Sequence, residues 1–112
     1  MINIERRSRI DIITFKIDKI NATITDDLKN EIYKVLDNAS PMVILDLKGV
    51  QYIDSTGFGC FLYLHKSARH HFGLLKFARP EPSVLRIFDT LNLNTVFEIY
   101  ENLDDCIGSF SK

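Results

Sequence analysis

One short apolar run near the middle of the chain, Met42–Leu47, constrains its fold most strongly. The run reads Met-Val-Ile-Leu-Asp-Leu, and such continuity is typical of a strand that helices bury on both faces. Before it, Leu28, Ile32 and Leu36 recur at the spacing of one helix face. Because strand-like and helical segments alternate after it, the sequence predicts an α/β fold, a mixed β-sheet with helices packed against it.

Local patterns predict the order of the other elements. Two β segments separated by a turn at Ser8 begin the chain, and helices then alternate with strands. Thr25 is the predicted N-cap of the first helix, and Gly73 is predicted to end the second. The predicted strands are Ile2–Arg7, Ile10–Ile17, Met42–Leu47, Leu74–Ala78 and Val96–Ile99; the predicted helices follow Thr25, cover Phe58–Phe72, begin at Pro82 and cover Leu103–Phe110.

Length and charge limit the classes of function. At 112 residues the chain is expected to be one domain, residues 1–112, that buries its own core. Its 14 basic and 15 acidic side chains give a formal charge of -1, so direct nucleic-acid binding is not expected. No apolar run approaches the ~18 residues of a membrane span, and the first residues lack the apolar stretch of a signal peptide. We therefore expect a cytoplasmic domain with no membrane partner.

The residue types that hold metals or transfer protons are scattered. Cys60 and Cys106 form no Cys-x-x-Cys pair, which predicts two reduced, buried thiols. His65, His70 and His71 have no partner constellation for metal binding or acid–base chemistry. The sequence therefore predicts no metal site, no cofactor and no catalytic residues. Several aromatic residues are expected in the core: Phe15, Phe61, Phe77, Phe88 and Phe97.

The segment Asp54–Gly59, which reads Asp-Ser-Thr-Gly-Phe-Gly, is the most informative in the chain. It follows a buried strand and opens a helix, yet it holds two glycines in the first turns. A glycine inside a helix costs about 1 kcal/mol relative to alanine, and less near the end. Such a cost predicts either a tight backbone turn or close approach by another molecule.

Two hydroxyls in this segment have alternative interpretations. Ser55 and Thr56 are common helix-capping residues, and capping is the simpler role. The functional alternative is a hydroxyl exposed for chemistry, at a helix end that tolerates a phosphate. The sequence around Ser55 matches neither a Gly-x-Ser-x-Gly elbow nor a phosphate-binding loop. An enzyme with Ser55 as nucleophile stays a distant alternative, because no pattern supplies a base.

The residues Val43–Leu47, Val50 and Tyr52–Gly59 together closely resemble the STAS domain of anti-sigma factor antagonists. That family has an apolar strand ending in Asp-Leu, followed by Asp-Ser-(Ser/Thr)-Gly-Leu-Gly. Pro82–Leu93 also resembles the family's third helix and its exit. The similarity spans roughly residues 10–107, and it implies a single STAS-like domain.

The resemblance implies a phosphorylation switch and no enzymatic activity. In this family a serine kinase of the histidine-kinase-like ATPase type, which is also the anti-sigma factor, phosphorylates the position that is Ser55 here; Thr56 is the alternative acceptor. The unphosphorylated form binds that kinase and releases the sigma factor, and a PP2C-type phosphatase restores it. The implied partner-binding residues are Asn21, Asp54, Ser55, Thr56, Gly57, Phe58 and Gly59.

Departures from the family pattern bear on the partner. Asn21 stands where many members have an acidic residue, and Asp18 stands where many have glycine. Phe58 replaces the commoner leucine and either packs inward or meets a partner. An alternative function is therefore a STAS module of another partner-switching system, in a stressosome, in secretion or in transporter regulation.

Overall fold

The computed structural model describes residues 1–111 and contains seven strands, four α-helices and one short 3-10 helix. The strands are β1 (Ile2–Arg7), β2 (Ile10–Phe15), β3 (Lys19–Ile20), β4 (Met42–Asp46), β5 (Tyr52–Ile53), β6 (Leu74–Ala78) and β7 (Ile99–Tyr100). The helices are α1 (Thr25–Leu36), α2 (Ser55–His70), α3 (Pro82–Thr90) and α4 (Leu103–Ser109), and the 3-10 helix is Leu93–Thr95.

The main sheet has five strands in the order β1-β2-β4-β6-β7. Strand β1 runs antiparallel to β2, whereas the other neighbouring strands pair in parallel. Parallel strands need crossover connections, and helices supply most of them here. The structure confirms the predicted mixed α/β sheet.

Strand β4 lies in the middle of this sheet and is buried on both faces. Val43 and Leu45 face a core that α1, α2 and α3 cover, and Ile44 faces a smaller core on the side of α4. Successive side chains of a strand point to opposite faces, so consecutive apolar residues are needed from Met42 to Leu45, before the strand ends at the buried Asp46. Each fully buried aliphatic side chain contributes about 1.5–3 kcal/mol.

Aromatic residues fill the larger core. The Phe77 and Phe97 ring centroids are 4.7 Å apart, and those of Phe61 and Phe77 are 5.2 Å apart. Phe88 is also fully buried, so four of the five predicted core aromatics are confirmed. The prediction for Phe15 is met only in part, because its side chain packs on the core while staying half-buried at the end of β2.

Several predicted boundaries are wrong, each for a local reason. Thr25 is the first helical residue of α1 and buried, and Ile24 holds the cap position without a side-chain hydrogen bond. Strand β2 ends at Phe15, short of Ile17. The predicted strand Val96–Ile99 is shortened and shifted to β7, which begins at Ile99, since Val96 has helical backbone angles and caps the 3-10 helix.

Strands β3 and β5 form a separate two-stranded parallel sheet that the sequence did not predict. Ile20 pairs with Ile53, and both side chains are buried. The Gln51 amide donates to the Asp18 carbonyl at 2.7 Å and strengthens the join. This small sheet brings the loop after β2 against the start of α2.

Candidate functional site

Asp54 caps helix α2, and the candidate site is built around it. Its backbone is extended, and its carboxylate accepts hydrogen bonds from the Gly57 amide at 3.1 Å and the Thr56 hydroxyl at 2.5 Å. This arrangement satisfies one of the amides that a helix start leaves open. The alternative that Ser55 or Thr56 is the cap is therefore wrong, and the helix begins at Ser55 rather than at Phe58.

The same carboxylate also holds the neighbouring loop. The Ala22 amide donates to the second oxygen of Asp54 at 3.2 Å, and the Asp54 amide donates to the Ile20 carbonyl at 3.0 Å. One side chain therefore joins α2 to the loop between β3 and α1. The role of the Ala22 main chain left no signal in the sequence, because every residue type except proline can supply an amide donor.

Asn21 lies in this loop, and its side-chain oxygen accepts hydrogen bonds from another residue of the loop. That oxygen accepts from the Thr23 amide at 3.1 Å and from the Thr23 hydroxyl. The residue is half-buried, and its amide nitrogen makes no hydrogen bond to any residue between 1 and 111. Asn21 therefore offers a partner a donor, where a carboxylate would offer an acceptor.

The two candidate hydroxyls differ in their contacts. The Thr56 hydroxyl is already a donor to Asp54. Ser55 is exposed as the first residue of α2, and its hydroxyl forms no hydrogen bond to another residue of the described chain. Ser55 is therefore the more accessible acceptor of a group from solution.

The electrostatics at the start of α2 combine a fixed negative charge with an open donor. The hydrogen bond from Thr56 is the main cause that holds the pKa of Asp54 below its usual value, so the carboxylate is ionised at neutral pH. The Ser55 amide has no acceptor among residues 1–111, whereas the Thr56 amide faces the Asp54 carboxylate and helps to lower its pKa. A helix start of this kind favours an added anion through its dipole and its free amide.

The structure buries two of the predicted partner-binding residues. A Cβ on Gly57 would lie 2.5 Å from Ile53 Cγ2 and 2.9 Å from Ile20 Cγ2, so this glycine lets α2 pack on the small sheet. Phe58 is 5% exposed, and its ring meets the edge of Phe88 at 5.2 Å between centroids. Of the two roles expected for Phe58, the structure selects inward packing, which leaves the ring no surface for a partner.

Gly59 differs from Gly57 in that the space where a side chain would lie is open. A Cβ there would have no heavy atom within 4 Å, and the residue is exposed. It lies in a shallow groove between α1 and α2 whose other lining residues include Lys29, Thr56 and Tyr63. The fold of the chain itself therefore gives no packing reason for a glycine at this position.

An ion pair between a buried aspartate and a half-buried arginine was missed by sequence reasoning. Asp46, at the end of β4, is 1% exposed, and both of its carboxylate oxygens accept from the Arg79 guanidinium, one of them from Nε at 3.0 Å. The pair joins the ends of β4 and β6 and also raises the pKa of Arg79. The only signal was a lone aspartate in an apolar run, which by itself names no partner.

The remaining polar candidates do not converge on a site. Burial lowers the pKa of His65, whose ring packs on Phe97 at 5.4 Å between centroids. His71 Nε2 lies 3.6 Å from Asp37, an exposed carboxylate. Over the part of the chain that the structure describes, no three His, Cys, Asp or Glu side chains are grouped closely enough to hold a metal ion. None of the helices between residues 1 and 111 has the length and apolar character needed to cross a bilayer.

Solved structures share this fold at low sequence identity. An anti-sigma-factor antagonist (STAS) domain protein from Planctomyces limnophilus superposes with a TM-score of 0.90 at 15% identity, over 99% of this chain and 98% of that one. An anti-sigma factor antagonist from Mycobacterium paratuberculosis gives 0.88 at 18% identity, over 100% and 94%. The Bacillus cell fate determinant SpoIIAA in its phosphorylated form gives 0.71 at 14% identity, over 98% and 99%.

Sequence comparison identifies the family. None of the curated proteins compared with this chain matches it significantly. The model of the STAS domain, however, matches residues 1–106. Members of that family are typically regulatory modules without catalytic activity. The match covers nearly the whole chain, and it agrees with the mixed sheet and with the Asp-Ser-Thr-Gly segment at the start of α2, so the chain belongs to the STAS domain family.

Proposed function

We propose that this domain is an anti-sigma factor antagonist whose binding to a serine kinase is controlled by phosphorylation of Ser55. The observation that carries the proposal is the contrast between two adjacent hydroxyls. Ser55 is exposed and unengaged among the described residues, whereas Thr56 is held by Asp54. The similarity in fold to anti-sigma factor antagonists, at 15 to 18% identity, also supports this function.

The start of α2 is suited to a reversible charge. A phosphate on Ser55 adds about -1.5 to -2 charges beside the ionised Asp54. The free amide of Ser55 and the helix dipole stabilise that charge within the domain. A partner that docks on the same surface must instead desolvate two negative groups, so the added charge acts on the complex more than on the fold.

The proposed partners follow from this switch. The unphosphorylated domain binds an anti-sigma factor that is also a serine kinase of the histidine-kinase-like ATPase type, and the sigma factor is released. Phosphorylation of Ser55 dissociates the complex, and a PP2C-type phosphatase restores binding. The contact surface around Ser55 consists of the exposed Thr56 and Gly59 and the half-buried Asn21 and Asp54. Gly57 and Phe58 support that surface from within.

Phosphosite mapping tests the acceptor. The wild-type domain and the variants Ser55→Ala and Thr56→Val are incubated with the candidate kinase and ATP. We expect one phosphate on Ser55 in the wild type and in Thr56→Val, and none in Ser55→Ala. Phosphate on Thr56, or incorporation into Ser55→Ala, contradicts the assignment.

Binding measurements test the switch itself. Ser55→Ala is expected to bind the kinase as tightly as the unphosphorylated wild type and to release its sigma factor constitutively. Ser55→Asp is expected to bind roughly a hundredfold more weakly, which corresponds to about 2.7 kcal/mol of docking energy. Calorimetric titration with the kinase measures both affinities, and equal affinity of the two variants would rule out electrostatic control.

Asn21 favours a second candidate function, a STAS module of a partner-switching system that does not involve a sigma factor. The side chain presents an amide donor where many family members carry an acidic acceptor. A partner built for a carboxylate would lose that contact, so a different partner, in a stressosome, in secretion or in transporter regulation, has to be considered. Sigma factor release on addition of the domain to the anti-sigma complex separates the two functions.

A further inference from the structure

Strand β1 lies at one edge of the main sheet, and its outer side is free to pair with another strand. It pairs with β2 on one side only, and no other strand of residues 1–111 pairs with it. Its register with β2 is continuous from Ile2 to Arg7, without a bulge or a proline. An edge of this length and regularity presents unpaired main-chain groups that can bind another strand.

The turn after β1 shows which residues of the strand direct their main-chain amides and carbonyls toward the free edge. Ser8 and Arg9 both have positive φ, 53° and 67°, as in the two-residue turns that join hairpin strands. In such a turn the flanking residues, Arg7 and Ile10, form a hydrogen-bonded pair. Hydrogen-bonded pairs alternate along an antiparallel ladder, so Glu5 and its partner form the next one.

The opposite end of the hairpin has the same alternation. The Lys16 amide donates to the Met1 carbonyl at 2.7 Å, so the odd-numbered residues of β1 bond inward to β2. The amides and carbonyls of Ile2, Ile4 and Arg6 therefore point outward. Ile4 is central among them, and its side chain is 47% exposed.

We propose that two copies of this chain pair antiparallel through β1, with Ile4 of one copy opposite Ile4 of the other. In this register Ile2 lies opposite Arg6 and Asn3 lies opposite Glu5. Every outward main-chain group of Ile2, Ile4 and Arg6 then finds a partner. The two sheets join into one continuous sheet around a two-fold axis, as symmetric dimers commonly do.

Other registers are less favourable. A shift of two residues in one direction sets Glu5 opposite Glu5 of the second copy, and like charges directly opposite destabilise a sheet. The reverse shift sets Asn3 opposite Asn3 and leaves the outward groups of Arg6 unpaired. Side chains of the proposed register impose no like-charge pair, and the formal charge of -1 per chain adds little repulsion between copies.

The groove beside Ile4 also suits a second copy. It is lined by β1 and by Glu31, Lys34 and Val35 of α1. Each copy therefore brings one acidic and one basic side chain to the junction, together with the apolar surface of Ile4 and Val35. None of these residues belongs to the site around Ser55. The dimer is therefore expected to persist when that site binds a partner.

Mass measurements over a range of concentrations test the dimer. Analytical ultracentrifugation is expected to show an equilibrium between the 12.9 kDa chain and its dimer. Ile4→Pro removes an outward amide while sparing the bonds to β2, so it is expected to weaken the dimer roughly thirtyfold or more without lowering Tm. Ile4→Ala keeps the amide and serves as the control. A monomer at all concentrations, or a dimer that Ile4→Pro leaves unchanged, would overturn the proposal.

Cross-linking tests the register without relying on a proline variant. Opposite residues of a hydrogen-bonded pair have Cα atoms about 5.5 Å apart, within the range of a disulfide. Ile4→Cys is therefore expected to form a covalent dimer on mild oxidation. Asn3→Cys is the control, because two copies of residue 3 would lie about 8 Å apart. Equal cross-linking of both variants, or cross-linking to larger oligomers, contradicts the two-fold register.

Discussion

The two glycines of helix α2 give the sharpest test of the structure, because they predict opposite effects of one substitution. In Gly57→Ala the new Cβ meets Ile53 at 2.5 Å and Ile20 at 2.9 Å, both side chains being buried. Overpacking of this kind costs about 1–3 kcal/mol. The better helix propensity of alanine returns at most about 1 kcal/mol. We therefore expect a net loss of about 1–2 kcal/mol in the free energy of unfolding.

Gly59→Ala is the matched control in the same helix. Its Cβ would meet nothing within 4 Å, so only the gain in helix propensity remains. We expect Gly57→Ala to lower Tm by roughly 5–10 °C and Gly59→Ala to raise it by a few degrees. Thermal and urea unfolding of the three proteins measure both changes. If both variants are equally stable, the close approach of α2 to the small sheet is not what requires Gly57.

The same pair of variants separates folding from docking. Gly59→Ala folds stably but places a methyl group in the groove between α1 and α2. If the kinase approaches this part of α2, Gly59→Ala binds it more weakly despite its higher Tm. Unchanged affinity would mean that the partner contacts only the start of the helix.

Three further predictions concern single contacts. Asp54→Asn keeps a capping side chain but loses the charge. Because the pKa of Asp54 is lowered on folding, we expect the variant to be less stable than the wild type at neutral pH and the difference to be lost as pH falls below about 4. Unfolding curves at several pH values measure this difference. Arg79→Ala leaves the buried Asp46 unpaired and is expected to cost about 3 kcal/mol in urea unfolding, whereas a loss below about 1 kcal/mol would contradict the ion pair's role. Burial raises the pKa of Cys60 to about 11 and of Cys106 to about 12, so neither thiol should react with a thiol reagent at pH 8 until the protein unfolds.

Sequence patterns predicted most of the main sheet because its signals are local. The double-sided burial of β4 required consecutive apolar residues from Met42 to Leu45, and the helical spacing around Leu28 and Ile32 marked one face of α1. These periodicities follow from the geometry of each element alone. They predicted the α/β class and the position of Ser55 at a helix start, although not the residue that caps that helix.

The small sheet of β3 and β5 had no such signal. Each of its strands has two residues, too few for any alternation to appear. Its existence depends on Ile20 and Ile53 meeting across the fold, and those residues are far apart in the sequence. The loop that carries Asn21 reaches the site only through this contact.

What the sequence by itself determined is the order of the α-helices and of the main-sheet strands, the family resemblance and the choice of the Asp54–Gly59 segment. Tertiary structure alone decided how those residues divide their roles: Asp54 caps and joins, Thr56 donates to it, Ser55 stays free, Gly57 and Phe58 pack inward. The physical reason is that capping, burial and hydrogen bonding depend on which distant residues lie beside a side chain. Spacing along the chain records the geometry of one element, whereas these contacts exist only after several elements have packed together.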